Sequence, residues 1–155
     1  MARRGFTIIE IMLVIGIIVA LAVVGVLNLT GRRGQTEFDS TVRQISALLR
    51  DAQVRSVAQA SDKGWGVHFE NSTTTAPFYA LFFQTYSATT TVGYYRLPAS
   101  VAYDSVSLAS GASREISFTQ ITGAASTSTS VTIYLVARPA VSSTISILLS
   151  GAVSY

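Results

Sequence analysis

From Phe6 to Leu27 the chain reads FTIIEIMLVIGIIVALAVVGVL, and only Thr7 and Glu10 break the apolar run. As a helix rising about 1.5 Å per residue, such a run matches a hydrocarbon core of about 30 Å, so a single membrane-spanning helix is expected. Asn28, Thr30, Gly31 and Gly34 then supply residues that weaken or end helices. Gly25, Gly31 and Gly34 mark the expected soft spot. Beyond it Phe38, Val42, Ile45, Leu49, Ala52 and Ser56 recur at steps of four and three, which lays one apolar stripe along a second helical stretch. Arg43, Gln44, Arg50, Asp51 and Arg55 fall mainly off that stripe and predict a solvated face. Thr36, with Asp39 three residues later, fits a capping box and predicts a helix restart there.

After Ser61 the pattern changes to short runs of Ser, Thr, Tyr, Phe and Val separated by polar turns, which predicts strands. Six are expected, near 65–69, 78–84, 93–97, 114–119, 131–137 and 144–149. Alternation is clearest at Ile116-Ser117-Phe118 and from Val131 to Leu135, and the stretches 71–75 and 123–130 read as low-complexity loops. The expected fold class is α+β: a long N-terminal helix, membrane-spanning in its first half and amphipathic in its second, packed on a C-terminal antiparallel sheet or small β-sandwich. The corresponding division is a leader at 1–5, a spanning helix at 6–27, its amphipathic continuation at 28–61, and a β-rich domain at 62–155.

Composition supports lipid contact and argues against several chemistries. Hydrophobic residues make up 49% and charged residues 12% of 155, greasier than an ordinary domain of this size. The net charge of +3 is 11 cations against 8 anions, and losing Arg3 and Arg4 with a leader leaves 9 against 8, or +1, too little to imply nucleic acid. Arginine pairs flank the run on both sides, at 3–4 and 32–33, so flanking charge alone does not orient it. Without cysteine there is no disulfide framework, thiol nucleophile or thiolate metal site.

The sequence Arg3-Arg4-Gly5-Phe6-Thr7-Ile8-Ile9-Glu10 heads the apolar run. It resembles the class III signal of type IV prepilins and type II secretion pseudopilins: a short basic leader ending in Gly, then Phe, then Glu as the fifth residue of the mature chain. The resemblance implies cleavage between Gly5 and Phe6 by a prepilin peptidase and N-methylation of Phe6. A carboxylate inside a membrane helix costs about 2.5–3.5 kcal/mol on insertion scales, so Glu10 calls for a cation. The new Phe6 ammonium of a neighbouring subunit would supply it and set the axial register. Further implications are residence as a single-pass protein of the cytoplasmic membrane with the C-terminal domain outside, then passage into a pilus or pseudopilus. Implied partners are other pilin subunits, the peptidase, an inner-membrane assembly platform, and membrane lipid before assembly.

Two other leaders compete with this reading. Ala20-Leu21-Ala22 has the form of a signal-peptidase site, which would release an ordinary secreted protein, but the apolar run continues to Leu27 and Glu10 fits an h-region poorly. The run Arg3-Arg4-Gly5-Phe6 has a twin-arginine core with too short a leader.

The stretch from Ile45 to Ala58 and the segment from Gly64 to Phe69 resemble minor pseudopilins of the GspH/FimT type, as does Ile145 to Gly151 near the end. Members that bind DNA carry basic residues just after that glycine, whereas here Ala152-Val153-Ser154 follow Gly151. A minor pilin that binds DNA for competence or adheres to a surface is the alternative function, with Tyr79, Tyr86, Tyr94, Tyr95, Arg96 and Tyr103 as stacking candidates and Arg114 and Arg138 as added cations. No catalytic, cofactor or metal constellation stands out. The single histidine, His68, lies between Val67 and Phe69 without a second ligand at metal spacing and is expected to face the surface of a strand. Asp104 and Glu115 are expected to be solvated turn or edge residues.

Overall fold

Thr7 sits extended at φ −84° and ψ 150°, and its side chain accepts from the Glu10 N–H, so the helix α1, Ile8–Val57, begins here. The computed structural model describes residues 7–155, with side chains described at 7–22 and 33–155. Gly5 and Phe6, the expected leader junction, lie outside the described residues. Thr36 and Asp39 lie inside α1, so the predicted restart at Thr36 does not occur. The helix ends where the Ala58 N–H donates to the Val54 carbonyl at 2.8 Å and Gln59 turns left-handed at φ 50°.

Eight strands follow: β1 Trp65–Glu70, β2 Phe78–Phe83, β3 Thr91–Arg96, β4 Val101–Tyr103, β5 Ser113–Phe118, β6 Thr129–Leu135, β7 Arg138–Ile147 and β8 Val153–Ser154. They form two four-stranded antiparallel sheets, ordered β3-β2-β1-β5 and β4-β6-β7-β8. The predicted helical stripe is the part of α1 that joins them. Phe38, Val42, Ile45, Leu49, Ala52 and Ser56 are all buried, and the five apolar ones share one core with Val67, Phe69 and Ile116 of the first sheet and Val131, Ile133 and Ile145 of the second. Ser56 fixes the helix end to the sheet, its Oγ accepting from the Trp65 N–H at 2.8 Å. The Trp65 indole N–H donates to the Ala60 carbonyl at 3.0 Å.

Two glycines are required by their surroundings. Gly151 adopts φ +86°, and a β-carbon there would collide with the Gly123 carbonyl and with Gln53. At Gly66 a β-carbon would stand 2.6 Å from the Ile116 carbonyl oxygen and 2.7 Å from the Phe82 ring, so only glycine lets Phe82 lie flat on β1.

The expected fold class needs correction. Described helical side chains fall in two stretches, 8–22 and 33–57, and of these only the second packs on the sheets; no described residue before Phe38 belongs to the core. Among the described residues no helix is long and apolar enough to cross a membrane. The expectation of a long helix, spanning in its first half and laid on a sheet, is therefore withdrawn. Withdrawn with it are the transmembrane designation and the single-pass location in the cytoplasmic membrane.

Replacing Leu49, fully buried, with Ala should cost about 2–5 kcal/mol in chemical denaturation, whereas Val54→Ala, on the exposed face, should stay within about 0.5 kcal/mol. Equal losses would show that the stripe does not carry the fold.

Candidate assembly surface and an outer-face histidine cluster

The first turn of α1 has the chemistry of a cap. Thr7 Oγ1 accepts from the Glu10 N–H at 3.3 Å, and the Thr7 carbonyl accepts from the Ile11 N–H at 3.2 Å. Glu10 is the third helical residue, which gives the Ser/Thr-x-x-Glu spacing of a capping box and places its carboxylate near the positive end of the helix dipole. At such a position a carboxylate is stabilised by about 0.3–1 kcal/mol without any partner. That local role was readable in the sequence but was assigned to Thr36 instead.

Around this turn every described residue from Thr7 to Ala22 is exposed. Ile8 and Ile9 are 81% and 76% accessible, and Ile11, Met12, Leu13, Val14, Ile15, Ile17, Ile18, Val19 and Leu21 are also exposed. At about 100° per residue these positions cover all sides of the helix, so the surface is apolar all round with Glu10 as its one charge. Of the expected soft-spot glycines, Gly25, Gly31 and Gly34 all lie within α1. Only Gly34 has described surroundings, facing Leu135 and Ser100, while the surroundings of Gly25 and Gly31 fall outside the described residues.

His68 does not face solvent as expected; it is 3% accessible. Its neighbour in register on β2 is Ala80 and on β5 is Glu115. Nδ1 lies 3.3 Å from Glu115 Oε1 and Nε2 lies 3.4 Å from Glu70 Oε2. The Tyr86 ring, from the β2–β3 connection, stacks on the imidazole with 3.6 Å between centroids and 6° between planes. Phe78 and Phe82 complete the cover. Glu115 stands exposed on the edge strand β5, as expected, and also faces the histidine. Asp104 is a turn residue, its Oδ2 accepting from the N–H groups of Val106 and Ser107. Because both imidazole nitrogens face carboxylates, neither is free to act as a base toward a hydroxyl. Among the described residues no group of three His, Cys, Asp or Glu is placed to hold a metal ion.

The tyrosines do not form one stacking surface. Tyr79 and Tyr95 stack on the helix side of the first sheet, Tyr86 and Tyr94 lie on its outer side, and Tyr103 is buried in the second sheet. Burial, then the nearby Tyr95, pushes the Tyr79 phenol up from 10.0 to about 12. Burial, then Tyr79, raises Tyr103 as well. Burial, then Glu70, Tyr94 and Glu115, raises Tyr86. The arginines are also dispersed: Arg96 on β3 and Arg114 on β5 occupy opposite edges of the first sheet, and Arg138 begins β7 in the second. Arg114 is further engaged, donating to Thr129 Oγ1 at 2.8 Å and the Ser130 carbonyl at 2.9 Å.

No family model matches this chain, and searches of curated proteins and of solved structures find no match either.

Thr7→Ala should destabilise the first turn by about 1 kcal/mol, seen as faster hydrogen exchange at the Glu10 and Ile11 amides. Unchanged exchange would remove the cap. For Tyr79, the folded phenol holds its proton above the unfolded value of 10.0. Its contribution to stability is therefore complete below pH 10 and is lost as pH rises toward about 12. Alkaline denaturation of Tyr79→Phe should show a shallower decline across that window, and an identical decline would refute the assignment.

Proposed function

We propose that the chain is a structural filament subunit of the type IV pilin and type II secretion pseudopilin class, assembled through its N-terminal helical segment. The observation that carries this reading is the stretch 8–22: apolar on all sides, exposed, and attached to a domain whose described core residues begin at Phe38. Contiguous apolar surface of this extent is a contact surface. A helix greasy on one face is satisfied by one partner, but a helix greasy all round needs several neighbours, which describes the interior of a filament.

In that setting Glu10 is the one charge among packed apolar helices, and an ammonium from an adjoining subunit is its natural partner. Cleavage between Gly5 and Phe6 would create that ammonium. The N-terminal motif supports this processing, and its agents would be a prepilin peptidase, an assembly platform and other pilin subunits. The function is one of assembly, without a catalytic role for the chain itself.

Coexpression with a prepilin peptidase should yield a mature chain starting at N-methylated Phe6, as read by mass and terminal sequencing. Breaking a buried ion pair costs about 3–5 kcal/mol, so Glu10→Ala should reduce incorporation into sheared filaments by about tenfold or more. A terminus at Val23, or normal incorporation of the variant, would overturn the proposal.

A further inference from the structure

The outer face of the first sheet carries a cluster that assembly through the helix leaves unused. His68 is the chain's single histidine, and its side chain is 4% exposed between Glu70 of its own strand and Glu115 of β5. A neutral imidazole has one N–H to donate. Set between two carboxylates, it satisfies one and turns a bare lone pair toward the other. Imidazolium donates to both, and its charge lies against the face of the Tyr86 ring, where a cation is stabilised.

We propose that His68 is a protonation latch: the doubly protonated ring holds the tip of the β2–β3 connection, residues 85–89, against the outer face of the first sheet, and loss of one proton releases it. Hydrogen bonds within the connection are largely its own. Thr90 Oγ1 donates to the Thr85 carbonyl at 2.6 Å, Thr91 Oγ1 donates to the Ser87 carbonyl at 2.8 Å, and the Ser87 and Thr90 hydroxyls are 2.8 Å apart. The connection is anchored at its base, where the Gln84 N–H donates to the Gly64 carbonyl at 2.8 Å and the Phe83 N–H to the Thr90 carbonyl at 3.2 Å, and beyond that base the tip 85–89 can keep its shape while leaving the sheet. Its attachment there runs through Tyr86, whose ring stacks on His68 and meets Phe82 edge-on at 5.8 Å.

The other groups facing the cluster do not replace the imidazolium. Phe78 of β2 is apolar, and the Tyr94 ring of β3 lies tilted against Phe78 at 4.6 Å. Arg96 of β3 is level with Glu70 across Phe78, two strand spacings or about 10 Å away. Release would uncover His68 and Phe82 beside β3, the outer strand of its sheet.

The test is nitrogen and proton NMR of the histidine ring in the full chain from about pH 5 to pH 8, the range in which histidines usually change charge. Nitrogen shifts count the ring protons, and the ring-current shift and proton contacts from Tyr86 report docking. The latch predicts that the Tyr86 contacts weaken as the ring passes from two protons to one. The docked population should fall by about tenfold or more, the worth of one charge-assisted hydrogen bond. Glu115→Gln is the informative variant, because its amide can donate to the bare nitrogen of a neutral ring. Docking in that variant should persist across the whole range. Tyr86 contacts that stay constant in the native chain while the ring loses a proton would overturn the latch. So would a docked ring carrying a single proton throughout, or pH-dependent release that survives in Glu115→Gln.

Discussion

One strip of side chains, from Phe38 to Ser56 on α1, gives the two sheets a common interior. Neither four-stranded sheet closes on itself, and each presents an apolar face that would otherwise meet water. Leu49 and Ile45 are fully buried, with Val67, Phe69 and Ile116 contributed by one sheet and Val131, Ile133 and Ile145 by the other. Removing the strip would separate the halves of a single core. Because cores of this density tolerate few voids, the helix has little freedom to slide or rotate against the sheets. Ser56 and Trp65 add a polar clamp at the end of the strip, where the chain leaves the helix and enters β1.

That constraint divides α1 into a half that belongs to the domain and a half that does not. Over 33–57 the buried apolar positions keep to one side, and the charges, with Val54 and Val57, lie off it. Over 8–22 no polar side exists apart from Glu10, and the domain offers nothing to cover it. In the proposed filament, 8–22 is the segment that neighbouring copies would cover. The Thr7 cap defines where the helix starts.

Local periodicity made much of this legible. All six positions of the predicted helical stripe are buried, and each of the six predicted strand regions overlaps an observed strand. Strands β4 and β8, of three and two residues, carry too little pattern to be read and exist because β6 and β7 pair with them. The start of β7 at Arg138-Pro139 was hidden because proline reads as a turn, although it is tolerated at the beginning of a strand. The His68 cluster was not legible at all. Glu115 lies 47 residues away, and Tyr86 arrives from a loop, so a histidine flanked by Val67 and Phe69 looked like an ordinary strand residue. The membrane span was an inference from the length of an apolar run, and among the described residues no helix is long and apolar enough to cross a membrane.

The central claim is that 8–22 is surrounded by several copies of itself, and the absence of native cysteine allows a direct measurement. Met12 and Val14, two residues or about 200° apart around the helix, can both be replaced by cysteine and oxidised in assembled material. Neighbours on opposite sides predict a ladder of covalently linked chains extending well beyond the dimer. Products that stop at the dimer, or no cross-linking at all, would contradict the account.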